Sequence, residues 1–245
     1  MLNEEYAVHC LGLTKKFGSK VAVDSLDLQI EPGTLFSLLG VNGAGKTTTI
    51  RMLSSLILPS GGCAMIHGHD CVKEPDAVKR LVGVSPQTTA VSPRMTVFEN
   101  LVFMEELYGA DKKTAQRNAN EAAERYGMTE YLHSPSKILS GGQSRMLSVA
   151  MAMAGGPKVL FLDEPTLGID VIARRRLWKV INDLKGKITI ILTTHYMEEA
   201  EELSDRIGIM IDGRLRACGT LAELETQTGL KGLEPVFIKI SEGSL

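Results

Sequence analysis

Three observations predict an α/β fold. A phosphate-loop motif sits between a short apolar run and a helical stretch. Strands and helices alternate along the chain. A block of helices interrupts that alternation, which predicts a helical subdomain inserted into the α/β core. Ahead of the loop, residues 6–11 and 21–30 alternate apolar and polar, with Val21, Val23, Leu26, Leu28 and Ile30 marking strands. Glu31-Pro32-Gly33 predicts the turn that follows them.

Taken in order, Thr14-Lys15-Lys16-Phe17-Gly18 reads as a loop between the first two strands. Phe17 is then either a minor core residue or a flat surface on which a base can stack. Thr34 to Leu39 is a short apolar run, read as a buried strand. Gly40-Val41-Asn42-Gly43-Ala44-Gly45-Lys46-Thr47-Thr48 follows and matches the G-x-x-x-x-G-K-[ST] template in full. Residues 49–53 read as the first turns of a helix. Glycines let the backbone turn its N–H groups inward around a phosphate, and the helix N-terminus adds donors and a positive dipole end. Lys46 has the reach for β- and γ-phosphates, and the Thr47 hydroxyl is a ligand for Mg²⁺.

Residues 60–72 read as a hairpin and residues 81–85 as a short strand followed by Gln87. Residues 96–108, 114–127 and 142–154 have helical periodicity, the first opening with Thr96 and Glu99 at capping-box spacing. Val159 to Leu162 is a continuous apolar run, as in a parallel strand covered on both faces. Residues 171–185 read as a helix with Leu177, Val180, Ile181 and Leu184 inward, and 188–192 as another strand. A short acidic helix at 196–204, a hairpin from Ile207 to Ala217 and a helix near 221–227 come next. Val236-Phe237-Ile238 is expected to be a strand.

The chain has 245 residues, 44% apolar and 23% charged, with a net charge of −2, so no basic excess points to nucleic acid as the main partner, while a local basic patch stays open. No apolar stretch approaches the roughly 18 residues needed to span a bilayer. The acidic start, Met1 to Tyr6, lacks a signal-peptide core. The expectation is a chain made and kept in the cytoplasm that works at a membrane only through a partner. Cys10, Cys63, Cys71 and Cys218 form no C-x-x-C pair and are expected as thiols. Cys63, His67, His69 and Cys71 fall close together, but glycines interrupt the alternation and the spacing matches no common zinc pattern, so a hairpin is preferred. Arg174-Arg175-Arg176 cannot share one helix face and reads as a solvated flank.

Asp163 and Glu164 end the strand at 159–162. Carboxylates at the carboxyl end of a parallel strand stand where open α/β sheets bind ligands. Asp163 suits Mg²⁺ and Glu164 suits orienting or deprotonating an attacking water. His195 also closes a strand, and Gln87 follows one. For both, a structural and a ligand-facing role stand open on these grounds. Leu139-Ser140-Gly141-Gly142-Gln143 precedes a helix that Ser140 can cap, a second place for an anion.

Together these motifs resemble an ABC-type ATPase domain, over essentially the whole chain. Leu139 to Gln143 is similar to the family signature, Leu160 to Thr166 to its Walker B motif, and Leu167-Gly168-Ile169-Asp170 to its D-loop. The resemblance implies the ABC ATPase fold, a P-loop NTPase core with an antiparallel β subdomain and an inserted helical subdomain. It implies ATP and Mg²⁺ as ligands, Gln87 as the Q-loop glutamine, His195 as the switch histidine and Phe17 as the residue that stacks on adenine. It assigns Glu164, His195, Lys46 and Gln87 to hydrolysis, and Thr47, Gln87 and Asp163 to the metal. The nucleotide would be held by Phe17, Gly40 to Thr48, Ser140 to Gln143 and Asp170. Residues 1–87 and 157–220 would form the core, 88–156 the helical signature subdomain, and 221–245 a tail. It also implies a head-to-tail pair of such domains with ATP between the phosphate loop of one and the signature of the other. Val41, Val171 and Ser144 depart from common choices, and Arg145 would partly supply the basic surface that Ser144 lacks.

Thr96 to Leu101 and Leu107-Tyr108-Gly109 are similar to ATPase subunits of bacterial ABC-2-type exporters, drug- and sodium-efflux systems among them. That implies a separate integral membrane permease, no nucleic acid, and a peripheral place on the inner face of the cell membrane. The alternatives are an ABC importer ATPase, a non-transport ABC ATPase acting on ribosome or DNA, and a P-loop kinase, against which the signature argues.

Overall fold

A computed structural model describes residues 5–243. The described residues form two compact units, one built from those up to Lys79 together with those from Lys185 onward, the other Arg80–Leu184.

In the first unit, β1 (Val8–Phe17) and β2 (Lys20–Ile30) form a long antiparallel hairpin. β4 (Gly61–Ile66) and β5 (His69–Asp70) extend it to a sheet of order β2-β1-β4-β5. The segment expected as a loop at Thr14–Phe17 is strand instead. Register shifts after Cys10 absorb the irregularity, so the alternation lapses while pairing continues to Phe17↔Lys20. The hairpin expected at 60–72 turns at His67 and Gly68, both at positive φ.

The same unit holds β3 (Leu35–Leu39), β8 (Thr189–Thr194) and β9 (Arg206–Ile211), with β3 parallel to both neighbours, and β10 (Arg214–Gly219) antiparallel to β9. Every residue of β3 and β8 is buried, which explains their unbroken apolar runs. α1 (Lys46–Leu53) and α7 (Met197–Leu203) flank these strands in sequence. α8 (Leu221–Thr228) and α9 (Leu233–Ser241) close the unit.

α9 replaces the strand expected at Val236-Phe237-Ile238. Its buried residues are Leu233, Val236, Phe237 and Ile240, a helical stripe that joins Leu39, Ile207 and Ile209 in one apolar cluster. Pro235 lies in the first turn, where its missing N–H costs no helical bond.

The second unit contains β6 (Val82–Ser85) parallel to β7 (Val159–Asp163). Its helices are α3 (Val97–Leu107), α4 (Lys112–Arg125), α5 (Gly141–Ala152) and α6 (Val171–Leu184). Thr96 and Glu99 make the expected capping box on α3. On α6, Leu177, Ile181 and Leu184 are buried while Val180 is half-buried. Arg174 lies over the Trp178 ring, 5.0 Å from its centroid, so one member of the arginine run is stacked rather than fully solvated. α2 (Pro75–Leu81) went unread in the sequence, although Glu74-Pro75-Asp76 carries a start signal, with proline at the first helical position and an acid beside it.

Candidate functional site

β3 delivers the chain into the phosphate loop, and the Gly40 N–H donates to the Thr194 carbonyl at the end of β8 (3.2 Å). Two glycines fix the loop's path by close approach. A Cβ on Gly40 would lie 2.4 Å from the Met210 carbonyl oxygen, and one on Gly45 would lie 2.4 Å from that of Ala22. Gly45 also stands at φ 106, a conformation other residues avoid. It is the N-cap of α1 and contributes no capping side chain, and the first turn carries no acid. The positive helix end is therefore presented to the loop without an internal carboxylate to offset it.

Lys46 is 4% exposed. Its Nζ donates to the carbonyls of Gly40 (2.6 Å) and Val41 (3.2 Å), so the ammonium is folded over the loop and held there. Thr47 and Thr48 are half-buried on the same turn, while Val41, Asn42 and Gly43 are exposed. The loop is braced from behind. Ala44 accepts from the Gly213 N–H (3.1 Å), Gly213 accepts from the Asp24 N–H (2.8 Å), and Asp24 pairs with Arg214 at 2.7 Å. Hydrogen bonding to Arg214 is the largest cause holding the Asp24 carboxyl below its ordinary range.

Elsewhere in this unit, His195 follows β8, half-buried, its ring 4.1 Å from that of Tyr196. Phe17, at the end of β1, is 53% exposed and carries the Lys15 ammonium 5.1 Å from its ring centroid. Of the two readings open for Phe17, the exposed face and the cation beside it fit a stacking surface better than a core residue.

In the second unit, β7 ends in Asp163 and Glu164, 4% and 6% exposed. Glu164 has φ 48. A left-handed conformation costs a non-glycine residue about 1 kcal/mol, so the turn, closed by the Leu167 N–H on the Glu164 carbonyl (3.2 Å), holds this carboxylate at a set angle. Asp170 caps α6, its Oδ1 accepting from the N–H groups of Ile172 (2.9 Å) and Ala173 (3.0 Å). Those backbone donors, Ala173 first, hold the Asp170 carboxyl low.

The signature segment is a capping box. The Ser140 hydroxyl oxygen accepts from the Gln143 N–H (3.2 Å), and the Gln143 Oε1 accepts from the Ser140 N–H (2.9 Å). The Ser140 O–H proton is not used in that pair, so the group still has a donor for an anion. A Cβ on Gly142 would lie 2.5 Å from the Ala173 Cβ, which places the start of α5 against the start of α6.

Gln87 is exposed after β6, and its carbonyl accepts from Arg145. This corrects the expectation for Arg145, which is 5% exposed and supplies no surface beside Ser144. The sequence hid it because α5 is buried on every face from Arg145 to Ala152, which leaves no periodic pattern to betray an inward arginine. Burial pulls its guanidinium down from the ordinary value, and the Asp163 carboxylate pulls the other way.

Comparison with known proteins identifies the family of the chain. The ABC transporter family model matches residues 23–167. The daunorubicin/doxorubicin resistance ATP-binding protein of Streptomyces peucetius is 41% identical over 224 residues, covering 91% of this chain and 68% of that protein. The human ATP-binding cassette sub-family A member 2 is 42% identical over 217 residues, but the chain spans only 9% of its length. A solved ATP-binding subunit of an ABC transporter, 26% identical, superposes with a TM-score of 0.86 over 96% of this chain and 99% of that one. The matched family model and the covered relative together place this chain in the ABC transporter family as an ATP-binding domain of the exporter-like kind.

Proposed function

We propose that the chain is the ATP-hydrolysing subunit of an exporter, and that ATP-driven pairing of two such domains powers a separate membrane permease. The observation that carries this reading is the similarity to the Streptomyces peucetius drug-resistance ATP-binding protein over 91% of the chain. No helix among the described residues is long and apolar enough to cross a membrane, so a membrane path needs another polypeptide or another segment.

In this reading Lys46 and the backbone of Gly40 to Thr48 hold the β- and γ-phosphates, and Phe17 stacks on the base. Glu164 orients or deprotonates the attacking water, and His195 binds the γ-phosphate end. Thr47, Asp163 and Gln87 offer hard oxygen donors of the kind Mg²⁺ accepts. Mg²⁺ would neutralise phosphate charge as the bond to the leaving group breaks. Ser140, Gly141, Gly142 and Gln143, with Asp170 close in sequence to α6, would close on nucleotide held by the second domain in head-to-tail arrangement. Two loops built for anions but a single strand-end acid pair among the described residues support that division. Hydrolysis removes the bridging phosphate and lets the pair separate.

Isolation of the tagged chain from its native membranes tests the reading. Recovery with an integral membrane protein, whose removal abolishes efflux, is the expected outcome. Recovery with ribosomes or DNA would favour the non-transport alternative, and uptake in place of efflux would favour an importer.

A further inference from the structure

Two buried polar side chains fasten the two ends of the loop that starts at Gln87. At its beginning, Arg145 Nη1 donates to the Pro86 carbonyl (2.7 Å) and Nη2 to the Gln87 carbonyl (2.6 Å). At its far end, Asn100 is 1% exposed. Its Oδ1 accepts from the Ser92 N–H (2.9 Å), and its Nδ2 donates to the Ser92 carbonyl (3.2 Å) and to the Ser136 hydroxyl (3.0 Å). Ser136 lies four positions before Ser140, and Arg145 lies five after it. The stretch containing the signature is thus tied to both ends of the Gln87–Ser92 loop.

A guanidinium is a costly group to bury for packing alone, because a charge taken from water must be repaid by hydrogen bonds. What it offers is a planar fork that reaches two successive carbonyls at once and fixes their orientation. Among the described residues those two carbonyls are its hydrogen-bond acceptors in the structure, and its Nε has none. The fork sits on the second turn of α5, whose first residues are Gly141 and Gly142.

We infer that Arg145 is a positioning residue that locks the Gln87 backbone to the signature helix, so that a displacement of either is passed to the other. Gln87 and Ser140 then respond to the nucleotide as one body, with Asn100 as the second fastening. The inference rests on the proposed roles of Gln87 and Ser140, and it assigns the link between them to a residue that touches no nucleotide.

A double-mutant cycle tests it with the full chain. R145M and R145K are made alone and in a Q87A background, and steady-state ATP hydrolysis is measured for all. R145M is expected to lower kcat about 10-fold with KM for ATP changed less than about 2-fold. R145K, with a single point donor, should recover part of that loss. On the Q87A background R145M should cost less than about 2-fold more, because the residue acts through Gln87. An equal fold loss in both backgrounds overturns the link. Should R145M fail to fold, the R145K pair decides the cycle by the same criterion. Q87A turning over at the wild-type rate also overturns the proposal, and marks the failure as lying in the role of Gln87 rather than in the coupling.

Discussion

The chain begins two glycine-flanked helices for anions, and it begins them in opposite ways. α1 starts at a glycine with no capping side chain, its path fixed by the Ala22 and Met210 carbonyls against glycines. α5 starts with Ser140 and Gln143 closed on each other in a capping box. A capping box satisfies the first donors of a helix internally, whereas an uncapped start leaves them for another partner. The phosphate loop is therefore shaped for continuous, close wrapping of an anion. The signature holds its form without one and leaves only the Ser140 O–H and a few backbone donors for an outside acceptor.

The largest expected effect separates the acid pair from both helices. E164Q should bind ATP within about 2-fold of the parent and lose at least about 100-fold in phosphate release, since the water loses its proton acceptor. Near-parental release would remove Glu164 from that role.

Next, alanine at the two close-approach glycines should fail differently. G45A puts a Cβ against the Ala22 carbonyl at positive φ and is expected to cost more than about 2 kcal/mol and to abolish ATP binding, read by nucleotide titration and thermal melting. G142A puts a Cβ 2.5 Å from the Ala173 Cβ and forces the starts of α5 and α6 to shift, away from the phosphate loop in sequence, so ATP binding by the single domain should persist while hydrolysis falls about 10-fold. Equal loss of binding in both variants would erase the distinction between the two helices.

A smaller effect sharpens it. S140A removes the cap and should lower stability by about 1 kcal/mol in denaturant titration, with no change in monomer ATP affinity. Unchanged stability would mean the box contributes nothing to holding α5.

The smallest concerns the brace behind the phosphate loop. The Asp24 carboxyl is depressed by Arg214, so its contribution is present above the unfolded aspartate value, about 3.9, and is lost as pH falls through the lower folded value. The stability gap between the parent and D24N should be visible at pH 7 and shrink as pH falls below the ordinary aspartate range. A gap independent of pH would assign the effect to packing.

Much of this was legible because glycine, lysine and paired acids carry fixed spacing. The phosphate loop, the Asp163-Glu164 strand end and the Ser140 cap all stand where their motifs put them along β3–α1, β7 and α5. What escaped was whatever depended on three-dimensional burial. Val236-Phe237-Ile238 looks like strand when three residues are read, and becomes helix when Leu233 and Ile240 complete its stripe. Thr14–Phe17 lost its alternation to register shifts in the pairing. Arg145 could not be placed because no rule of local sequence distinguishes an arginine that feeds a loop carbonyl from one that faces water.

The posture of Lys46 has a kinetic consequence. Its ammonium is already stripped of most water and aimed by two carbonyls before any phosphate arrives. In the role proposed for Lys46, capture of the nucleotide would swap one set of oxygens for another, with little chain ordering left to do. Arginine would keep the charge yet be too long and too flat for that pocket, so charge conservation alone should not rescue the position.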